Sequence, residues 1–205
     1  MLKLIQDIIG GRVIIERKNK YVTWIASNKS DLLKIYSILA KYPLITIRKQ
    51  QQLKFALSCI NSSDIENFYI NRDKKYDDIS SIRIINNTKL IPYFNAWLSG
   101  FIEAEGSFSL VLREKGSIKT CNFNIGQNSD KNILELIKLY FNCIHVITID
   151  KPNNKNNVFK HYRISITGPS FRSEIIKHFN EYPLLGNKKV SYINWINFFV
   201  KRNKL

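Results

Sequence analysis

Residues 93–108 read YFNAWLSGFIEAEGSF, and how that stretch folds decides how the rest of the chain is read. Tyr93 to Glu105 predicts a helix in which Ala96, Gly100 and Ala104 share one face and leave it almost bare. Such a face lets a second backbone approach closely, although stripes of small residues also occur where helices cross in ordinary cores. The other side carries Trp97, Leu98, Phe101 and Ile102, which suit packing on a sheet of the same module. The helix closes on Glu105, followed at once by Gly106. A carboxylate at a helix C-terminus faces the negative end of the macrodipole, an unfavourable placement unless a cation or metal compensates. An acid there points to function.

Downstream, Ser107–Arg113 and Ile118–Gln127 alternate as strands of a hairpin turning near Lys115 and Gly116. A helix is expected from Asp130 to Phe141, strands over Ile144–Asp150 and Val158–Thr167, a helix over Ser170–Glu181 and an amphipathic stretch over Lys188–Val200. The order is αββαββα. Much of it occurs twice: Tyr21–Pro43 lies on His161–Pro183 without a gap, both ending in Tyr-Pro. Each copy continues to a basic pair, Arg48-Lys49 in one and Lys188-Lys189 in the other. With a different offset, Leu2–Gly11 lies on Leu134–Cys143. The first copy therefore begins at the middle helix and lacks the leading helix and hairpin. The expected organisation is an incomplete first module over 1–60, a polar connector over 61–91 and a complete second module over 92–205.

The chain has 205 residues, with 32 Lys and Arg against 16 acids and a net charge of +16, which favours a polyanionic partner, nucleic acid first. No stretch approaches the roughly 18 apolar residues of a spanning helix, so no membrane role is expected. Cys59, Cys121 and Cys143 are irregularly spaced, which suits neither a disulfide framework nor a zinc site. His145, His161 and His178 show no metal spacing and are expected as surface or framework residues. The emphasis on Ile, Asn, Lys, Tyr and Phe, residues with A/T-rich codons, hints at an organelle genome.

LSGFIEAEG, Leu98 to Gly106, resembles the nine-residue motif of the LAGLIDADG family of homing endonucleases and intron maturases. The resemblance implies an α+β LAGLIDADG fold of tandem αββαββα modules whose antiparallel four-stranded sheets form a saddle, here with the first module incomplete. It implies Glu105 as a catalytic, metal-binding acid, with Glu103 at the preceding acidic position. Lys188, in the YPLLGNKK run, would lie near the reacting phosphate, and Gln127 would help to position water or metal. Mg²⁺ would be the cofactor if the protein cuts. In the family two such helices meet along their small faces and each delivers a carboxylate, because in-line phosphodiester hydrolysis places charge on both the attacking and the leaving oxygen. The wording FIEAEGSF is closest to fungal mitochondrial intron-encoded proteins, so the expected location is mitochondrial.

The binding face follows from alternation. Ser107, Ser109 and Arg113 on one strand, Thr120, Asn122 and Asn124 on the next, and Arg163 and Ser165 on a third would point away from the core. Such residues can read base edges or grip phosphate, although any half-solvated sheet alternates in this way. Lys115 and Lys119 near the turn are expected on phosphate, and Arg48, Lys49 and Lys189 would add to the positive surface, as would Arg12, Arg17, Lys18 and Lys20. The first module offers no second acidic helix in 1–91. Three readings follow: an endonuclease completed from elsewhere, a second copy covering the Ala96, Gly100 and Ala104 face, or a binding protein without chemistry. The partner is double-stranded DNA or structured RNA, the latter for a splicing factor or a structural subunit of an organellar ribonucleoprotein such as the mitochondrial ribosome.

Overall fold

The computed structural model describes residues 1–18, 20–61, 65–77, 84, 87–112, 118–150 and 160–202. It divides into two compact units, Met1–Leu44 and Ile45–Leu205.

In the first unit, helix α1 (Leu2–Ile9) leads into strands β1 (Arg12–Glu16) and β2 (Tyr21–Ile25) and then helix α2 (Lys29–Lys41). Two glycines make the turn out of α1: Gly10 and Gly11 have φ of 102° and 80°, and a Cβ on Gly11 would stand 2.6 Å from the Ile25 carbonyl oxygen. Trp24 Nε1 donates to the Gly10 carbonyl at 2.9 Å, tying that turn to β2. Asn28 caps α2 by accepting from the Asp31 amide at 2.7 Å. The β1–β2 ribbon pairs Arg12 with Ile25 through to Glu16 with Tyr21. Among the described residues β2 pairs with no further strand, and Ile8, Ile15 and Val22 stay exposed.

The second unit begins with helix α3 (Ile47–Asn61) and helix α4 (Ile65–Asn71), followed by short 3₁₀ turns over Lys74–Tyr76 and Thr88–Leu90. The expected connector is thus partly helical: Phe55 and Phe68 meet edge to face at 6.4 Å, and Gln51 Nε2 donates to the Tyr76 carbonyl. Contacts of this kind leave little periodic trace in so short a polar segment. The unit boundary also falls earlier than the repeat boundary, because α3 belongs with Ile45–Leu205.

Helix α5 (Phe94–Glu105) passes directly into β3 (Gly106–Leu112), which turns into β4 (Ile118–Asn128). Helix α6 (Lys131–Tyr140), β5 (Thr148–Ile149), β6 (His161–Ile166), α7 (Pro169–Glu181) and α8 (Lys188–Arg202) complete the predicted αββαββα order. The sheet runs β3-β4-β6-β5, antiparallel throughout. Strand β5 is shorter than the expected Ile144–Asp150, with Ile144 and Val146 91% and 75% exposed, and Val158, where the next strand was expected to start, lies outside the described residues. The repeat is visible in backbone geometry. Tyr42 and Tyr182, aligned in the two copies, end α2 and α7 with φ/ψ of −124°/77° and −122°/76°. The module with β1 and β2 has no counterpart of α5, β3 and β4 among the described residues.

One face of the four-stranded sheet carries Phe108, Cys121, Phe123, Ile125, Ile164 and Ile166 into the core. Helices α5 to α8 close over it with Phe94, Leu98, Ile102, Ile133, Leu134, Ile137, Ile175, Phe179 and Trp195. Phe108 is the hub, with Phe123, Tyr192 and Trp195 at centroid distances of 5.1, 5.3 and 5.5 Å. Replacing a buried Phe by Ala costs about 3 to 5 kcal/mol through lost burial and the cavity left behind. Phe123→Ala, at a fully buried position, is therefore expected to lower the urea midpoint sharply. Leu139→Ala, on an exposed side chain, should stay within about 0.5 kcal/mol in the same measurement.

Candidate nucleic-acid interface and acidic helix

Helix α5 presents three differently employed faces. Phe94, Leu98 and Ile102 are buried, and Trp97 and Phe101 stack on one another at 4.8 Å against the core. Ala96, Gly100 and Ala104 are exposed, and a Cβ built on Gly100 meets no described atom within 4 Å. The bare stripe predicted from the sequence thus faces outward. The third face, Ser99 and Glu103, is engaged by the segment that follows α7. Ser99 Oγ donates to the Tyr182 carbonyl at 2.6 Å, and the Glu103 carboxylate accepts the Gly186 amide at 3.2 Å and the Lys188 amide at 3.1 Å. A Cβ on Gly186 would meet the Glu103 carboxylate, which would have to shift from these two amides.

Glu105 ends α5 exposed, and among the described residues its carboxylate has no partner. Lys188 Nζ donates to the carbonyl of Gly106, the next residue. A cation therefore lies against the negative end of the α5 dipole, where an acid in the last turn most needs one. Gln127, half-buried, sits in β4 two residues beyond Ile125, the partner of Gly106, and so beside the junction of α5 and β3. These residues bring Glu105, Lys188 and Gln127 to one end of the sheet. Lys189 is exposed one position further along α8.

A divalent ion would find at this end one exposed carboxylate, that of Glu105. That fits Mg²⁺, which keeps several waters and is held by one or two carboxylates together with substrate phosphate. Among the described residues no three His, Cys, Asp or Glu side chains gather into an all-protein cage.

On the sheet surface, strand register lines up a polar row: Ser107 opposite Asn124, and Asn124 opposite Ser165. Ser109 stands opposite Asn122 in the next row. Ser165 Oγ donates to Asn124 Oδ1 at 2.5 Å, which orients that amide. Arg163 pairs with Asp150 at 2.5 Å, so its guanidinium is partly committed within the sheet. Gly126 stands opposite Arg163, and its missing side chain makes room for His161, whose Nε2 would be 2.5 Å from a Cβ there. Arg113 and Lys115 lie outside the described residues, and Lys119 is within β4. Arg48 and Lys49 start α3 and are already engaged, Arg48 over the Tyr76 ring at 4.5 Å and Lys49 with Gln52 Oε1 at 3.0 Å.

Two buried polar groups stand out, Asp130, which the sequence did not single out, and His178, expected as a surface or framework residue and found in the framework. Asp130, 1% exposed, reads as a helix cap but makes no capping bond; its carboxylate faces the Ile47 and Arg48 amides at the start of α3, and neither oxygen reaches full hydrogen-bond geometry. His178, 4% exposed, lies 2.9 Å from Ser99 Oγ through Nε2 and 2.9 Å from the Tyr140 hydroxyl through Nδ1. Long-range partners define both, so spacing along the chain gives no signal for either.

Comparison with known proteins agrees with this fold. The family model described as LAGLIDADG endonuclease matches residues 1–59 and 98–199. The probable intron-encoded endonuclease aI3 of Dictyostelium citrinum is 35% identical over 97% of this chain and 78% of its own length. Its namesake from Debaryomyces hansenii is 32% identical over 96% of this chain but 32% of its own length. The LAGLIDADG homing endonuclease I-GzeII, solved in complex with its DNA target, superposes with a TM-score of 0.74 at 21% identity, covering 99% of this chain and 77% of that one. Fold and motif define a LAGLIDADG-type protein. The chain belongs to the LAGLIDADG endonuclease family, and by lineage it is a homing-endonuclease-like protein.

Burial perturbs the two hidden groups in opposite senses. Desolvation pushes Asp130 up from 3.8 to about 6, against the pull of the Arg48 and Ile47 amides and the Arg48 charge. The folded protein holds the extra proton between those values, so this group's contribution to stability falls as pH rises through about 6. Desolvation pushes His178 down from 6.5 to about 4, with Glu181 opposing. Here the unfolded chain holds the extra proton, so the contribution is complete above 6.5 and lost as pH falls through about 4. Asp130→Asn is expected to be more stable than the parent near pH 7.5, by the order of 2 to 3 kcal/mol if the whole linkage term is recovered, with the gap closing toward pH 4. Urea titrations of the two proteins across that range check it.

Proposed function

We propose that this protein is a site-specific DNA-binding endonuclease whose hydrolytic site is built at the C-terminal end of α5. The observation that carries the reading is the Lys188 ammonium bonded to the Gly106 carbonyl, directly after the exposed Glu105. In this arrangement Glu105 holds the divalent ion and Lys188 faces the charge that develops on the phosphorus. Gln127, at the end of β4, positions the attacking water. A bound Mg²⁺ would supply Lewis-acid activation of water and charge for the leaving oxygen, with Glu105 as the residue that would hold it. The polar sheet face, with Ser107, Ser109, Asn122, Asn124, Arg163 and Ser165, meets duplex DNA, and Arg113, Lys115, Lys119 and Lys189 add contacts to phosphate. A second carboxylate for the opposite strand is delivered by a helix docked on the Ala96, Gly100 and Ala104 face, which a second copy or another LAGLIDADG helix can supply. In terms of sequence modules, 1–60 and 92–205 are the two arms and 61–91 joins them. A mitochondrial location is supported by the amino-acid usage, and the likeness to I-GzeII, solved in complex with a DNA target, supports DNA as the partner.

With Mg²⁺, the protein is expected to nick a duplex carrying the uninterrupted insertion site of its own intron. Glu105→Gln should slow nicking by at least ~100-fold and Lys188→Met by ~100-fold, with duplex affinity within about twofold of the parent because the sheet makes the contacts. Affinity should fall steeply with salt through counterion release. Tight, salt-sensitive binding with no nicking by the parent would replace the enzyme with a binding protein that retains the fold.

A further inference from the structure

The segment from Tyr182 to Lys188 is fastened at three successive points to α5 and the residue that follows it. The Ser99 hydroxyl holds the Tyr182 carbonyl, Glu103 holds the amides of Gly186 and Lys188, and the Lys188 ammonium holds the Gly106 carbonyl. Ser99 and Glu103 are four residues apart and therefore share one helical face.

The first fastening has a direction that follows from counting hydrogens. Ser99 has a single hydroxyl hydrogen, and it is given to the Tyr182 carbonyl, which can only accept. His178 Nε2, at 2.9 Å from the same oxygen, must then carry a hydrogen and donate it. In a neutral imidazole Nδ1 is left bare and accepts from the Tyr140 hydroxyl at 2.9 Å. One donor chain therefore runs from Tyr140 through His178 and Ser99 to the Tyr182 carbonyl, joining α6, α7 and α5 to the start of the Lys188 segment. Burial of His178 keeps the imidazole neutral, which this chain requires.

We propose that Ser99 and His178 are positioning residues that set the register of Lys188 against Glu105; the catalytic meaning of that register rests on the endonuclease reading above. A lysine stem has four rotatable carbons and does not by itself hold its ammonium at one place. The backbone that carries it must be fixed instead. Glu103 fixes two amides near Lys188, but a carboxylate can follow a segment that slides. The Tyr182 carbonyl, at the fixed C-terminus of α7, is where sliding is stopped. A fully satisfied polar network specifies one arrangement in a way that apolar packing does not.

The test compares Ser99→Ala with Ser99→Thr, which keeps the hydroxyl, and reads three quantities: single-turnover nicking, duplex affinity, and amide hydrogen exchange. Ser99→Ala is expected to nick ~10-fold more slowly with affinity within about twofold, and to expose the Gly186 and Lys188 amides to ~10-fold faster exchange. Ser99→Thr should recover most of both. In a Lys188→Met background, Ser99→Ala should slow nicking no further. Unchanged exchange at the two amides, or a loss of rate and affinity together, overturns the proposal. If the parent protein does not nick at all, the endonuclease reading fails, and the exchange measurement still decides whether Ser99 sets the register.

Discussion

The Glu103 carboxylate, accepting the amides of Gly186 and Lys188, is the contact on which the arrangement of the second unit depends. It joins the helix that ends in Glu105 to the loop that begins α8, two segments more than 80 residues apart in sequence. Backbone amides at the start of a helix attract negative charge because they are unsatisfied and lie at the positive end of the dipole. Glu103 answers that need for α8 and is thereby committed. Of the two acids in the motif, Glu103 is thus engaged in the structure, and Glu105 has no partner among the described residues. Lys188 then returns the favour, placing its ammonium at the C-terminal end of α5.

The start of α3 presents the same problem with a different solution. Its Ile47 and Arg48 amides face Asp130, a carboxylate fully removed from water whose pKa is pushed up to about 6. The aligned basic pairs, Arg48-Lys49 and Lys188-Lys189, therefore each stand at the head of a helix whose leading amides face an acid from elsewhere in the chain. The difference is exposure. Glu103 is half-buried with good hydrogen bonds, whereas Asp130 is sealed and imperfectly bonded, so a stability cost is stored at Asp130. Arg48 also leans on Tyr76, which takes it away from the role that Lys188 has.

Alternation and periodicity made much of the second unit legible in advance. The hairpin, both packing helices and α8 came from patterns of period 2 and 3.6, which reflect one buried face each. The bare stripe on α5 was equally readable, because three small residues at intervals of a helical turn have few other consequences. The short edge strand β5 was overestimated, since Ile144 and Val146 are apolar but unpaired and exposed. Helix α4 was missed because its support comes from Phe55 across the chain, not from its own composition. Arg163 and Arg48 were expected on the nucleic-acid-binding surface, and only their neighbours Asp150 and Tyr76 show how far each is engaged.

By itself the sequence carried the family motif, the module order of the second unit and the bare face of the acidic helix, because each of these is a pattern along the chain. Tertiary structure alone decided how they are arranged. Ser99, His178, Asp130 and the structural role of Glu103 are defined by partners tens of residues away, and hydrogen bonds over such separations leave no periodic mark on the sequence that makes them.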